Sequence, residues 1–318
     1  MSKARDSRGR EAERPREIPR RGWKDVAMRV KTELGDDNIS IVAAGVAFFS
    51  LLSVFPALAA ILTIYGLFAS PEQVTTQIQA ISGALPDSAQ QVISQQLQRL
   101  ASASSSALGI GAIIGLLAAI WSSSKGMKAL VGGVDIAYDE RDERGFVRKT
   151  AIILGLTVAA ILFVIVSLVL IAAVPALVGS LGLPSTLQWI VSLGRWPLLI
   201  VLVMGALAVI YRVAPDRDKA RWQWVTPGSV IAALLWVAAS VLFSLYVRYF
   251  GSYNESYGSL AGVVVLMMWL YLSAFIVLLG AEINAELERQ TKHDTTHGRR
   301  EPLGRRGAHA ADTVGEGA

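Results

Sequence analysis

The chain contains no cysteine, which excludes disulfides, thiolate metal sites and thiol nucleophiles together. Histidine is nearly as scarce: His293, His297 and His309 are the only three, all in a polar C-terminal tail. No glycine-rich phosphate loop ending in Lys-Ser or Lys-Thr occurs, so nothing marks an ATP-driven pump. Charge is also sparse, with 17% of residues charged against 53% hydrophobic and a mean hydropathy of +0.46. Ordinary soluble domains carry about 25% charged residues. Stretches 41–68, 151–178 and 259–281 hold no charged residue at all.

What is present instead is a set of long apolar runs. The three uncharged stretches are 28, 28 and 23 residues long, and about 20 residues cross a hydrocarbon core. Stretches 189–211 and 225–250 each hold one charge, Arg195 and Arg248. A further run, 107–121, can span if Ser122 to Ser124 lie inside and Lys125 snorkels to the interface. Lys and Arg outside these runs count 11, 1, 6, 0, 4, 0 and 6 from N- to C-terminus. That alternation is the positive-inside pattern of six crossings with both ends in the cytoplasm. The reading is an all-α, six-helix membrane bundle with helices at about 41–68, 107–127, 151–178, 189–211, 225–250 and 259–281.

The remaining segments follow from composition. Residues 1–22 are rich in Arg, Glu and Pro and read as a disordered tail, as does 291–318. The membrane domain is then 23–290. Trp23, Val26, Ala27, Val30 and Leu34 recur at helical spacing, predicting an amphipathic helix lying on the inner interface. In the outer segment 69–106, Val74, Ile78 and Ile81, then Ile93, Leu97 and Leu100, predict two amphipathic helices separated by Pro86. Gly111 and Gly115 form a small-xxx-small pair suited to close helix packing. Thr226 and Pro227 read as the N-cap and first residue of the fifth helix. The net charge of +5 goes where topology needs it and does not indicate nucleic acid. The partners expected are the bilayer and anionic lipid headgroups at the cytoplasmic face, with no cofactor.

The motif Ala47-Phe48-Phe49-Ser50-Leu51-Leu52-Ser53-Val54-Phe55-Pro56 stands in the first span, and Pro227-Gly228 opens the fifth. Tyr257-Gly258-Ser259-Leu260-Ala261, Trp269-Leu270-Tyr271-Leu272 and Gly280-Ala281-Glu282-Ile283-Asn284-Ala285-Glu286 follow in the sixth. In this order, over about residues 24–290, they resemble the YihY/BrkB family of bacterial inner-membrane proteins. Phe49 departs from the pattern, standing where a tyrosine is expected. The resemblance implies a six-helix protein of the cytoplasmic membrane. It also brings associations with serum resistance and transport, and an older label of ribonuclease BN.

Candidate functional residues are the ionisable groups within or beside the apolar runs. Arg195 lies six residues inside the fourth helix, about 9 Å deep, suited to headgroup snorkelling, to gripping an anion in a cavity or to a structural ion pair. Phe55-Pro56 and Trp196-Pro197 break helices one and four, which correspond if the six helices form two inverted halves. Two ordinary kinks are the simpler account of them. Glu282 and Glu286, one turn apart near Arg289, suit either a solvated ion pair or a proton- or cation-handling site at the cytoplasmic mouth. Asp135 can pair with Lys128 or face a cavity. His293 and His297 could bind a metal only if the tail were helical, so no metal site and no enzyme are expected. The reading is a transporter or exporter of an envelope-related solute or lipid, with a non-transporting membrane scaffold as the alternative.

Overall fold

The computed structural model describes residues 8–66, 107–174, 178, 184–249 and 259–316. The two helices expected within 69–106 lie outside the described residues. Among the described residues, seven long helices carry the fold: α1 (Arg20–Asp36), α2 (Ile39–Gly66), α3 (Ala107–Ala137), α4 (Phe146–Leu168), α5 (Ser185–Val213), α6 (Trp222–Tyr249) and α7 (Ser259–Glu288). A short α8 (His309–Asp312) follows. Among the described residues, five segments are long and apolar enough to cross a membrane: Ile39–Ile61, Phe146–Ile171, Thr186–Val213, Trp222–Arg248 and Gly262–Glu288. The first turn of α3 borders undescribed residues, and its own crossing belongs to the topology proposed below. In α3 the Ser123 and Ser124 hydroxyls donate back to Ile120 O and Trp121 O at 3.0 and 2.7 Å, which satisfies them within the helix.

The most extensive pairing is α2 with α3; α7 packs against both α6 and α2, α5 against α6, and α4 against α3. Small residues set how closely the helices approach. A Cβ at Gly126 would come within 3.0 Å of Ser50 Cα, and one at Gly133 within 2.9 Å of Leu278. Gly111 and Gly115, the expected packing pair, face open space instead. Backbone contact between α2 and α3 therefore falls further along the helix than the spacing suggested.

Where α6 crosses α7 the fit is tighter. A Cβ at Gly228 would lie 2.1 Å from Gly280 O, and one at Gly280 would lie 2.3 Å from the Tyr211 hydroxyl. That hydroxyl donates to Val277 O at 2.8 Å. Pro227 is not the first residue of its helix as expected. The helix begins at Trp222, and Thr226 donates to Trp222 O at 2.6 Å rather than capping. Pro227 thus loosens the second turn, and Asn284 of α7 fills the gap. Its Oδ1 accepts the Gly228 N–H at 2.8 Å, and its Nδ2 donates to Val225 O at 3.1 Å.

At the end of the bundle that carries both tails, the base, residues 8–22 and 291–316 are folded rather than disordered. Ala12, Ile18, Val26, Val30, Trp224 and Leu287 form a buried cluster there. The apolar face of α1 is therefore spent on protein, not on lipid. The C-terminal segment closes over it: Arg306 donates to Ala311 O, Lys292 O and Glu301 O at 2.6, 2.8 and 3.1 Å. Thr291 and Gln290 donate to Ala12 O and Arg8 O at 2.6 and 2.7 Å, and Ala220 bridges Thr296. Composition missed this because partners such as Ala12 O for Thr291 and Arg8 O for Gln290 lie in a distant segment.

Candidate functional site

Three charged groups are sealed into the base. The first is Arg217 and Glu288, a bidentate pair at 2.7 and 3.1 Å with both side chains almost fully buried. The guanidinium lies 5.1 Å from the Tyr138 ring centre, and Thr295 donates to the same carboxylate. Burial opposes the Arg217 charge, but Glu288 outweighs it and holds the guanidinium above its ordinary value. The pair locks the α5–α6 connection to the end of α7.

The second group joins α1 to α7. Glu286 is 1% exposed and takes Arg29 on one side and Arg289 on the other. Arg29 Nη2 donates to Glu286 O and Gln290 Oε1 at 3.0 and 2.9 Å, while Arg289 reaches Glu33 at 2.9 Å. Glu286 is therefore a buried structural ion pair rather than the solvated one its spacing allowed. The third group holds Asp135. Its Oδ1 accepts the Asp216 N–H at 2.9 Å, and Arg144, not Lys128, lies 3.7 Å from its Oδ2. Burial is the main cause that pushes Asp135 up to about 6. Arg144 also pairs with Asp142 at 2.9 Å, and Lys149 lies 2.9 Å from the same carboxylate.

Glu282 belongs to none of these networks. It is 2% exposed, and its Oε1 is buried without a hydrogen-bond partner. Facing it within hydrogen-bonding reach is Asp37, at the C-terminal end of α1. A bond between two carboxyl groups requires one of them to carry a proton. Asp37 is pushed up to about 6, first by burial, against the lowering effect of Glu282, with Asp139, Glu33 and Asp36 adding repulsion. Sequence reading singled out Glu282 but missed Asp37, Arg217 and Glu288. The available signal was Asp36-Asp37-Asn38 breaking the chain just before the first apolar run, with Asn38 at φ +51°.

The outer-half candidates are arranged differently. Arg195 Nη1 donates to Ile171 O at 3.0 Å, in a π-helical turn (Val169–Ala173) that continues α4. Its guanidinium lies 5.4 Å from the Trp196 ring centre, and its Nε is buried without a partner. Phe55 and Trp196 are exposed on their helices, and α2 and α5 are not an extensively packed pair. The structure therefore does not bring Pro56 and Pro197 together across a helix contact. His293 sits 3.4 Å from Glu11, while His297 donates its backbone N–H to Lys219 O, so the pair does not share a helical turn. His309 lies 3.3 Å from Asp139. Among the described residues, no three His, Asp or Glu side chains are placed to hold a metal ion.

Long apolar helices closed at one end by a sealed ionic base define a polytopic membrane protein. The profile of the family described as "Virulence factor BrkB" matches residues 30–303, and the chain belongs to that family. It is 34% identical over 258 residues to a protein of Bacillus subtilis named as ribonuclease-like, YfkH, covering 79% of this chain and 90% of that one. A membrane protein named UPF0761 from Pseudoalteromonas translucida is 26% identical over 268 residues, covering 82% and 85% of the two chains. Another from Tolumonas auensis is 39% identical over 147 residues, 42% of this chain and 48% of its own length. No solved structure matches. The chain is thus a multi-pass bacterial membrane protein. The motif residues that carry the likeness include Gly228, Gly280 and Asn284, which make the close α6–α7 crossing.

Proposed function

We propose that the protein crosses the cytoplasmic membrane six times, base inward, and moves an envelope-related solute or lipid in exchange for a proton carried by Asp37 and Glu282. The observation that carries this reading is the unpartnered, buried Glu282 Oε1 facing a second carboxyl on another helix. A group so placed gains nothing for stability and so points to use in a transport cycle. Arg195, with its unpartnered Nε, is the residue we assign to the outer part of the path, beside Trp196-Pro197 and opposite in sequence to Phe55-Pro56. Glu286 and Asp135 support the cytoplasmic mouth through their arginine pairs.

A non-transporting scaffold is the second reading, favoured by the folded base, which offers a defined cytoplasmic surface. Ribonuclease chemistry has less support, because the three histidines sit on separate carboxylates and turns. Cells lacking the gene and complemented with Glu282→Gln or Asp37→Asn distinguish the readings. Transport predicts normal membrane abundance with lost complementation and a changed envelope lipid or solute profile. Full complementation by both variants would remove the proton role and favour the scaffold. Reporter fusions at residues 140, 218 and 300 should read cytoplasmic, and those at 85, 183 and 255 external.

A further inference from the structure

We infer that a cleft in the base binds the phosphate of an anionic phospholipid headgroup. The cleft, about 430 Å³, is lined by Glu13, Arg14, Arg221, Trp222, Gln223 and Arg300. Three arginines against one glutamate give the lining a net charge of +2. Three separate segments build it: the N-terminal tail, the start of α6 and the C-terminal tail. Gln223 fastens the first to the second by donating from Nε2 to Glu13 O at 3.0 Å.

The arginines are held for use rather than spent. Arg221 anchors its Nε on Thr296 O at 2.8 Å, which fixes the guanidinium while its two Nη groups remain for a ligand. Arg300 pairs with Glu13 at 3.2 Å, with both side chains more than half exposed, so that pair is weak and exchangeable. Arg14 stands exposed beside them. A guanidinium fork matches two phosphate oxygens, and a phosphodiester would displace the Glu13 carboxylate from Arg300.

Depth selects the source of the phosphate. Trp222 is the first residue of the span Trp222–Arg248 and half exposed, the position of an interfacial tryptophan. Arg212 lies 4.4 Å from its ring centre, which orients the indole at the cleft edge. The cleft therefore opens at headgroup level, where membrane phosphate is concentrated and chain-bound. This inference rests on α6 crossing the membrane and not on transport.

The test uses the full chain in detergent, probed with phosphatidylglycerol, phosphatidylcholine and inorganic phosphate, with bound lipid counted by native mass spectrometry. Wild type should retain phosphatidylglycerol over phosphatidylcholine, and Arg221→Ala with Arg300→Ala should weaken that retention roughly tenfold or more. Glu13→Ala should strengthen it, a gain that a misfolded protein cannot show. Equal retention of the two lipids by wild type, or an unchanged preference in the double arginine variant, would overturn the proposal. So would displacement of the lipid by millimolar inorganic phosphate, which would make the cleft a site for a free anion. Loss of complementation by Glu282→Gln leaves this result untouched, so the two readings fail separately.

Discussion

Asn284 of α7 holds the backbone of α6 at Gly228, accepting that residue's N–H at 2.8 Å one position after Pro227 interrupts the helical ladder. Both residues are buried at the crossing, and a Cβ on Gly228 would lie 2.1 Å from Gly280 O and 2.6 Å from Asn284, far inside van der Waals contact. Asn284→Ala should lower stability by about 1–3 kcal/mol, because it leaves the buried Gly228 N–H unmet, while Val225 O keeps the Ser229 hydroxyl. Gly228→Ala should be worse, since no rotamer relieves a backbone clash. Thermal unfolding of the purified protein in detergent checks both, and a silent Gly228→Ala would show that the helices can part.

Arg217 and Glu288 should behave as a sealed pair. Arg217→Met alone strands a buried carboxylate and should cost about 3–5 kcal/mol. Adding Glu288→Leu should recover much of that loss, since the desolvation cost disappears along with the charge. A double variant no better than the single would mean that the pair positions the α5–α6 connection in a way apolar packing cannot replace.

Stability should pass through a maximum at mildly acidic pH. Asp37 and Glu140 rise from ordinary values of 3.8 and 4.5 to about 6 and about 7, chiefly by burial, so the folded state binds their protons more tightly. Their contribution is fully present below the ordinary values and is lost as pH rises through about 6 and about 7. Asp142 runs the other way. Arg144 and then Lys149 hold it below its ordinary 3.8, so its contribution is present above that value and lost as pH falls. Asp37→Asn should flatten the limb above the maximum, measured as melting temperature against pH. An unchanged limb would remove Asp37 from the account.

Arg195→Leu tests the outer path. The substitution suits lipid, so the variant should insert and accumulate normally, with at most a small loss from the freed Ile171 carbonyl. Complementation should nonetheless fail, while Arg248→Leu, near an exposed helix end, should be nearly silent. Full activity in the Arg195→Leu protein would reduce this arginine to a clamp on the π turn.

Purified protein should leave tRNA intact in Mg²⁺, Mn²⁺ or Zn²⁺. Cleavage that survives purification and vanishes in His293→Ala plus His297→Ala would show that the tail does assemble a metal site, although the two histidines do not share a helical turn.

Glu282 shows where sequence reading stops. Its type and position marked it as a charged residue at the end of an apolar helix, and the same signal marked Glu286 equally. Only the packing of α1 separates them, by bringing Arg29 to Glu286 and Asp37 to Glu282. Arg195 was legible for the same reason, but its bond to Ile171 was not, because a π turn leaves no mark in the residues that form it.

Hydropathy and the distribution of Lys and Arg determined the all-helical class and proposed the topology, because transfer to lipid is a property of each segment by itself. The motifs determined the family, and their glycines and asparagine turned out to be the contact points of α6 and α7. The tertiary structure decided the rest. It ordered residues 8–22 and 291–316 by giving polar groups such as Ala12 O and Arg8 O partners in distant segments, and moved the close helix approach from Gly111 and Gly115 to Gly126 and Gly133. Among the described residues it also left Glu282 facing a carboxyl rather than a cation, with its Oε1 unpartnered, since pairing between distant residues depends on where helices meet and not on their composition.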